Sequence, residues 1–560
     1  MSVLRKTWLV KNTDTEKTLI ERLFKNRNLA DEKDIDYFFH TDYVKGLYDP
    51  LLLKGMKEAL ERIDRALKEK ERVIVFGDYD VDGITSTAIL FTTLKELGAN
   101  ISYRLPDRQS DGYGLNERFI EEFKEKEVKL VITVDCGIAN SEEIEKAKNY
   151  GIDVIITDHH AMPTEDRFPR QAYAIIHPKQ EGCPYPFKEI TGAGVAFKLS
   201  QALFTRHKKK KGFEKFFDLA ALGTVADCAP LIDENRLIVK GGLKMLKNTQ
   251  NLGLKHLKNI AGIDENRRMS TETLSFLLAP RINAAGRIAH PYYALQMILA
   301  EDEKALQFAQ KLEKLNQERQ RITGLAMEEV EKKFGKSPEK KNILVAYDSN
   351  WSSGIIGLIA GKMEERYARP CVIMEDRGDT LVGSIRSPEF FSSIQLLNQC
   401  KEYLDRFGGH EQAGGFNISK KNLAAFLEKI TKVADESLRG KEIKNILSID
   451  SEIIPAEIDM ATLEEIEAFE PFGIGNERPT FLLKDVPVHG IRPMGNEKKH
   501  LSFGAYLGDH DIRCFGFHLG PMALRLHEGI HLDIVCHLER NEWNGNTKVE
   551  LKMIDFAVAK

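Results

Sequence analysis

Hydrophobic and polar positions alternate in blocks between residues 51 and 158. An amphipathic stretch, LLLKGMKEALERIDRALKEK, precedes the apolar run RVIVF at 72–76, and a second helical stretch covers about 85–97. Two more short apolar runs follow, KLVITVD and DVIITD, with helix signals between them at 141–143. Short β-branched runs separated by helical stretches predict βαβ units and a mostly parallel sheet. Ligands of such sheets bind beyond the carboxyl ends of the strands.

The remaining pattern divides the chain into further regions. Residues 1–50 are polar with scattered aromatics, and we interpret them as a helical segment packed on the α/β domain at 51–301. A long polar helix with a narrow apolar stripe and a linker occupy 302–340. A smaller α/β domain is expected at 341–445, and short strands with turn signals at 446–560 predict an antiparallel barrel.

Composition excludes several classes of protein. The 560 residues are 42% apolar and 30% charged, which excludes a mainly disordered chain and fits about three or four domains. No run approaches ~18 apolar residues, so we expect no membrane span. Seven cysteines without a CxxC pair argue against a disulfide framework or a zinc site, and MSVLRKTWLVKN lacks an apolar signal core, so we expect a cytoplasmic protein.

The overall charge adds one restriction. Lys and Arg number 81 against 85 Asp and Glu, giving a formal net charge of −4. A uniformly basic nucleic-acid binder is therefore excluded, although a local basic groove remains compatible with this balance.

Acidic residues and histidines close three successive predicted strands. The segment GDYDVDG carries three aspartates at alternate positions, which point to the same side of an extended segment. TVDCG and ITDHH close the next two strands, and ALGTVADCAPL supplies a further acid. The residues concerned are Asp78, Asp80, Asp82, Asp135, Asp158, His159, His160 and Asp227. Parallel neighbouring strands would bring these groups to one edge of the sheet.

Such a cluster needs cations, because carboxylates a few ångströms apart raise each other's pKa. Carboxylate oxygens with one or two imidazoles suit Mn²⁺ or Mg²⁺. Two ions ~3.5–4 Å apart can activate a water and stabilise the leaving oxygen of a phosphoryl displacement. Asp135, alone on its strand, is the natural bridge between them, while Asp78 and His160 are either ligands or groups that orient ligands or protonate the leaving group.

Each element of the cluster also has a purely structural interpretation. A single DxD after a strand is more commonly a turn or a helix N-cap, and two adjacent histidines can form a buried hydrogen-bonded pair. Three successive strands that all end in acids or histidines would require three coincidences, so the conjunction favours a metal site.

The motifs resemble a known superfamily. GDYDVDGIT, TVDCGI, TDHH and ALGTVADCAPL, in this order, resemble the motifs of the DHH phosphoesterases. LPDRQSDGYGL, TGAGVAFKL, PRINAAGR, GSIRS, FGGHEQAGG and PFGIGNERPTF resemble bacterial members of that superfamily that degrade single-stranded DNA, which carry a DHH-associated domain and an OB-fold. The resemblance covers nearly the whole chain.

This resemblance implies a function. It implies a 5′-to-3′ exonuclease that depends on two Mn²⁺ or Mg²⁺ ions, releases 5′-mononucleotides from single-stranded DNA and serves recombination and repair. The implied partners are single-stranded DNA, a single-stranded-DNA-binding protein and a helicase, with no membrane.

The resemblance also implies roles for individual residues. The implied metal ligands are Asp78, Asp80, Asp82, Asp135, His159 and Asp227, and the implied catalytic residues are Asp135, His160 and Asp82. The implied substrate-binding residues are Arg108, Arg281, Ser384, Arg386 and His410, to which we add Tyr113 as a surface on which a base can stack.

Two alternatives stay open at this point. A DHH phosphodiesterase could act on short oligonucleotides or cyclic dinucleotides, although the expected OB-fold argues against it. A non-catalytic DNA-binding scaffold of the same fold would be expected to have lost ligands, yet every acid and histidine of the set is present.

Overall fold

The computed structural model of the chain describes residues 2–4, 6–14, 16–108, 110–209, 212–264, 267–440, 445–508, 510–543 and 546–559. Two compact units divide it. The larger comprises residues 46–229 and 233–441, and the smaller comprises residues 1–45, 230–232 and 442–560. Among the described residues, no helix combines the length and the apolar composition needed to cross a bilayer.

The larger unit begins with an α/β domain built on five parallel strands. Their order across the sheet is Asn100–Arg104, Arg72–Gly77, Leu130–Val134, Asp153–Thr157 and Ala174–Ile176. The helices of this domain are Met56–Glu69, Val81–Glu96, Glu117–Glu125, Ser141–Asn149, Gly192–Arg206, Phe217–Ala226, Asp233–Lys247, Leu252–Ile260, Ala279–Ile288 and Tyr292–Leu299. The expected parallel sheet is confirmed.

The central strands are buried along nearly their whole length. Phe76 and Val131 on one face of the sheet pack with Phe119 and Phe123 of one helix and Ile144 of another. Parallel strands covered in this way read as continuous apolar runs, which is why RVIVF and KLVITV stand out in the sequence.

A long helix, Lys304–Phe334, joins this domain to the next, as the sequence predicts. It contacts the helices Leu252–Ile260, Ala279–Ile288 and Tyr292–Leu299 of the first domain. Its last turns bury Val330 and Phe334 in the core of the second α/β domain. The helix is therefore anchored in both cores.

The second α/β domain has a five-stranded mixed sheet. Its order is Arg406–Gly409, Ala413–Ser419, Thr380–Arg386, Cys371–Asp376 and Leu344–Asp348, and only the last two strands pair in parallel. The helices are Ser353–Tyr367, Ser393–Gln399 and Leu423–Leu438.

The smaller unit contains the expected barrel, but one of its strand pairs, His510–Gly516 with Asn546–Val558, is parallel rather than antiparallel. Five strands close on themselves, in the order Phe481–Met494, His500–Leu507, His510–Gly516, Asn546–Val558 and His531–Trp543, because the last also pairs with the first. Two more strands, Ile446–Glu452 and Thr7–Asn12, extend the sheet in parallel. The helices are Leu19–Asn26, Glu32–His40 and Met460–Ala468.

The N-terminal segment differs from the expectation for residues 1–50. Residues 1–45 belong to the unit that contains the barrel, and Thr7–Asn12 forms a strand rather than a helix. Asp555, which is fully buried in the barrel, accepts hydrogen bonds from Leu4 N at 3.2 Å and from Trp8 Nε1 at 2.9 Å. These long-range bonds bind the segment to the barrel, and its local sequence carries no sign of them.

Candidate metal centre and substrate cleft

The three aspartates of GDYDVDG lie at a strand-to-helix turn. Asp78 follows the strand Arg72–Gly77, and the Asp80 side chain caps the next helix by accepting a hydrogen bond from Gly83 N at 3.1 Å. The helix begins at Val81, so the expectation of an extended segment with a helix start near Thr85 is wrong. A Cβ at residue 83 would lie 2.6 Å from Asp78 N, which explains the glycine there.

The first turn of that helix places Asp82 against the end of another helix. Both carboxylate oxygens of Asp82 accept backbone hydrogen bonds at 2.8 Å, one from Gly192 and one from Ala193. These two amides begin the helix Gly192–Arg206, whose N-terminus favours negative charge. These two hydrogen bonds fix the orientation of the buried Asp82 carboxylate.

Asp135 lies at the centre of the cluster. It follows the strand Leu130–Val134 with a φ of 60°, in the left-handed region. Its Oδ1 lies 3.1 Å from His159 Nε2. The same nitrogen lies 3.6 Å from Asp82 Oδ2 and 3.8 Å from Asp227 Oδ2.

Side chains from four segments of the chain thus meet beyond the strand ends. They form three groups whose potential ligand atoms lie within 4.8 Å of one another: Asp78, Asp80 and Asp135; Asp82, His159 and Asp227; and Asp135, His159 and His160. The convergence expected from parallel strands is present in the structure.

Two features of the cluster fit divalent cations. Within the part of the chain that the structure describes, Asp78 Oδ1, Asp135 Oδ1 and His159 Nε2 are buried without a hydrogen-bond partner. Burial and neighbouring carboxylates raise the pKa of Asp78 and of Asp227 to about 8. Buried carboxylates with raised pKa values and unpaired ligand atoms are what a positive ion would satisfy.

The two adjacent histidines have opposite protonation preferences. Burial and the proximity of His160 lower the pKa of His159 to about 3, so His159 is neutral and able to ligate a metal. Burial also opposes the charge on His160, but the hydrogen bond from its Nδ1 to Asp158 at 2.8 Å and the charge of Asp158 raise its pKa to about 9. His160 is therefore cationic at neutral pH.

Tyr113 lies beside this second histidine. Its hydroxyl is 3.2 Å from His160 Nδ1 and 3.3 Å from the carbonyl oxygen of Asp135. The side chain is 46% exposed and lines the adjoining cleft, so part of its ring is available for contact with a substrate.

The cleft is a cavity of about 540 Å³ within the larger unit. The parallel-sheet domain contributes Tyr79, Arg108 and Tyr113, and the second α/β domain contributes Ser384 and Arg386. Arg108 stacks on the Tyr79 ring at 4.5 Å, and Arg386 Nη1 lies 3.1 Å from Ser384 Oγ. The structure thus brings four of the expected substrate-binding residues, Arg108, Tyr113, Ser384 and Arg386, to one cavity.

Two expected residues are not among those that line the cleft. Arg281 donates to Glu313 Oε2 at 2.6 Å and to the carbonyl oxygen of Leu277 at 2.7 Å, and its expected role stays a prediction. His410 lies exposed at the turn of a β-hairpin, where its backbone N–H donates to Ala413 O at 2.7 Å.

The cleft also contains residues that the motifs do not indicate. Four more arginines line it, and no carboxylate does so among the described residues; these arginines are Arg167, Arg287, Arg377 and Arg406. A cavity lined by six guanidinium groups suits a phosphate-rich ligand, although the net charge of the chain is −4. The segment PRINAAGR contains both Arg281 and Arg287, and of these Arg287 lines the cleft.

Comparison with known families matches three regions of the chain. Residues 72–224 match the N-terminal domain of the DHH family, residues 340–436 match the DHHA1 domain, and residues 449–555 match the RecJ OB domain. These regions fall within the parallel-sheet domain, the second α/β domain and the barrel-containing unit.

Individual relatives extend the similarity over nearly the whole chain. The single-stranded-DNA-specific exonuclease RecJ of Bacillus subtilis is 35% identical over 546 residues, which are 97% of this chain and 68% of that protein. The crystal structure of RecJ from Thermus thermophilus in complex with Mn²⁺ has a TM-score of 0.82 at 28% identity and covers 99% of this chain and 80% of its own. The Mg²⁺ complex from the same organism has a TM-score of 0.75 at 27% identity and covers 99% and 79%.

These similarities agree with the grouped acids and histidines and with the arginine-lined cleft. The two Thermus thermophilus structures hold Mn²⁺ and Mg²⁺, and the acids and histidines grouped here offer ligand atoms of the kind that suits such ions. This chain belongs to the RecJ family of single-stranded-DNA-specific exonucleases.

Proposed function

We propose that this chain degrades single-stranded DNA from the 5′ end and releases 5′-mononucleotides by hydrolysis at a pair of Mn²⁺ or Mg²⁺ ions. The observation that carries the proposal is the pairing of the carboxylate and histidine cluster with an arginine-lined cleft. Tyr79, which lies between two aspartates of the cluster, also lines the cleft.

The six ligands divide between two ion positions. Asp78, Asp80 and Asp135 would hold one ion, Asp82, His159 and Asp227 would hold the other, and Asp135 would bridge both through its position 3.1 Å from His159. Such ions supply charge that activates a water and stabilises the leaving oxygen of a phosphodiester.

Groups of the protein orient a metal ligand and supply a proton for this hydrolysis. The amides of Gly192 and Ala193 hold Asp82 in one orientation, so the ligand set is arranged before ions bind. Cationic His160, with its Nδ1 bonded to Asp158, donates a proton from its other ring nitrogen to the departing 3′ oxygen. That oxygen belongs to the mononucleotide that is released.

The cleft selects the 5′ end. Arg108, Arg386 and Ser384 would bind the terminal phosphate, because planar guanidinium groups bind phosphate oxygens bidentately. A terminal phosphate held there leaves the first internucleotide bond at the cluster, so one nucleotide leaves in each cycle.

The strand preference and partners follow from the substrate. A B-form duplex, whose major groove alone is about 12 Å wide, is too bulky for a cavity of about 540 Å³, whereas a single strand can place its phosphates along the arginines. OB-folds bind single strands by stacking and weak charge contacts. We place the activity in recombination and repair in the cytoplasm, alongside a single-stranded-DNA-binding protein and a helicase that exposes the strand.

End-labelled DNA tests this proposal. With Mn²⁺, a 5′-labelled single strand should release labelled mononucleotide at once, while a 3′-labelled strand should shorten gradually, and chelator should stop both. Release of labelled mononucleotide first from the 3′-labelled strand would reverse the proposed polarity. Cleavage confined to dinucleotides would instead support a short-oligonucleotide phosphodiesterase.

A further inference from the structure

A second, smaller pocket shares Arg287 with the cleft. It has a volume of about 170 Å³ and is lined by the end of the helix Phe217–Ala226 and by residues of the helices Ala279–Ile288 and Lys304–Phe334. Arg319 of the long helix lines this pocket and is not among the residues that line the cleft.

Neither arginine of this pocket has an acidic partner among the residues that the structure describes. Within the described part of the chain, neither Arg287 nor Arg319 forms an ion pair. Arg287 donates to the carbonyl oxygen of Gly354 at 3.2 Å, and Arg319 donates to Asn316 Oδ1 at 2.8 Å, but Arg319 Nε is buried without a partner. Burial, with the charges of neighbouring arginines that include Arg319, lowers the pKa of Arg287 to about 9.

Two guanidinium groups placed together in this way favour an anion. Unpaired buried charges are costly, and a bound anion would neutralise both groups. Ser275 and Asn283 add neutral hydrogen-bonding groups to the lining, which contains no carboxylate among the described residues.

The size of the pocket selects the kind of anion. At about 30 Å³ for each water, 170 Å³ corresponds to roughly five or six water molecules. This is less than the roughly 300 Å³ or more that pockets for whole small-molecule ligands occupy. A single phosphate group fits this volume, whereas a whole nucleotide does not.

The pocket adjoins both the cleft, with which it shares Arg287, and the segment that carries the candidate ligand Asp227. Cys228, which lines the pocket, directly follows the candidate ligand Asp227. Tyr79, which lines the cleft, lies between Asp78 and Asp80. A strand with its 5′ phosphate in the cleft and its first internucleotide phosphate at the cluster would therefore present the next phosphate to this pocket.

We propose that Arg319 and Arg287 bind the phosphate immediately 3′ of the scissile one. This inference rests on the proposed function, since it assigns a further position of the same strand. The position holds the strand that remains after each cleavage, so that it enters the next cycle already bound.

Short substrates of different length measure the contribution of this phosphate alone. A 5′-phosphorylated dinucleotide contains only the terminal and scissile phosphates, whereas a trinucleotide adds the proposed third one. We expect kcat/KM to be about tenfold or more higher for the trinucleotide, as for a charge-assisted contact. A trinucleotide with an uncharged methylphosphonate at its second linkage should lose this gain.

Matched variants assign the effect to the pocket. Arg319→Gln should remove the trinucleotide gain and become insensitive to the methylphosphonate, while its dinucleotide kcat/KM stays within about twofold of wild type. Arg321→Gln is the control, since Arg321 lies on the same helix but is exposed and paired with Glu318. It should behave as wild type.

Binding without catalysis gives a second measurement. In chelator, anisotropy of a labelled single strand should show several-fold weaker binding for Arg319→Gln, and the slope of log Kd against log salt should fall by about 0.7. Arg321→Gln should retain the wild-type slope. Equal melting temperatures for the variants would exclude unfolding as the cause.

The possible failures are distinguishable. A wild-type enzyme that cleaves di- and trinucleotides equally and tolerates the methylphosphonate would overturn the pocket assignment and leave the exonuclease intact. A wild-type enzyme that cleaves neither substrate nor a longer strand in Mn²⁺ would overturn the proposed function itself.

Discussion

His160 Nδ1 lies 2.8 Å from Oδ1 of Asp158, and this buried carboxylate accepts three more hydrogen bonds, from the backbone amides of Ile138, His159 and His160. The bonds keep Asp158 ionised despite its burial, since the hydrogen bond and charge of His160 lower the pKa of Asp158 below its usual value. The Asp158 carboxylate therefore keeps His160 protonated beside the candidate metal ligands.

Removal of the carboxylate charge should expose that role. In Asp158→Asn, burial without the compensating charge should bring the pKa of His160 from about 9 to its ordinary value of about 6.5 or lower. A raised histidine pKa means that the cation persists up to about pH 9 and is lost above it, so the alkaline limb of the kcat profile should move to lower pH. At pH 7 a pKa of about 6.5 leaves roughly a quarter of His160 protonated, so we expect kcat to fall about fourfold or more.

The pH profile of kcat, measured with saturating strand and Mn²⁺, checks this prediction. Asp218→Asn, at a buried aspartate of a different cavity, is the control and should keep the wild-type profile. An unchanged alkaline limb in Asp158→Asn would exclude His160 as the proton donor.

Loss of the central ligand should be more severe. Asp135→Asn preserves shape, and asparagine tolerates the positive φ of this position, so the fold should persist. Because Asp135 belongs to two of the three ligand groups, we expect kcat/KM to fall by roughly 10³-fold or more and calorimetric Mn²⁺ binding to weaken. Turnover close to wild type would contradict the bridging position.

The cleft arginines should control recognition of the end. Arg386→Ala should raise KM for a 5′-phosphorylated strand roughly 10- to 100-fold with a much smaller change in kcat, and should reduce the preference over a 5′-hydroxyl strand. Arg281→Ala is the comparison variant, because Arg281 forms an ion pair with Glu313 and does not line the cleft. We expect it to change KM less than Arg386→Ala does. A larger KM effect in Arg281→Ala than in Arg386→Ala would contradict this arrangement.

Metal binding should depend on pH. Without ions, the pKa values of Asp82, at about 7, and of Asp78, at about 8, mean that these carboxyls hold protons near neutrality. Ions must displace those protons, so Mn²⁺ affinity should decrease from about pH 8 to about pH 6. Titration calorimetry in two buffers of different ionisation enthalpy should show proton release on binding, and its absence would contradict the raised pKa values.

Asp218 should make stability depend on pH at a distance from the cluster. Burial raises its pKa to about 6, although Thr249 Oγ1 donates to its Oδ2 at 2.7 Å. A raised carboxyl pKa means that stability is lost as pH rises from the unfolded value of about 3.9 through about 6. Asp218→Asn lacks this titration, so relative to it the wild type should lose up to about 3 kcal/mol over that interval.

Melting temperatures of the wild type and Asp218→Asn across this pH range provide the measurement. The exposed Asp302→Asn variant should track the wild type throughout. Parallel curves for wild type and Asp218→Asn would show that Asp218 ionises normally.

The three central strands and the acidic motifs that follow them were readable from the sequence because both are local signals. RVIVF, KLVITV and DVIIT are buried parallel strands, and polar residues that follow such strands must lie at one edge of the sheet. The long polar helix was equally clear, since its stripe of apolar residues repeats without a break.

Which arginine lines the cleft was not readable in this way. Arg281 and Arg287 share the helix Ala279–Ile288, but six helical residues rotate a side chain by about 240°, so they face different surroundings. Only the packing of that helix against its neighbours decides that Arg287 reaches the cleft. The start of the helix at Val81 depends similarly on the capping geometry of Asp80.

The sequence alone determined the parallel sheet, the carboxylate and histidine set at its strand ends and the succession of domains, because periodicity and motif order are properties of consecutive residues. Tertiary structure alone decided that His160 is cationic and which arginines line the cleft. It also decided that the strand Thr7–Asn12 pairs with Ile446–Glu452. Each of these depends on burial or on contacts between residues far apart in the chain, which no local pattern encodes.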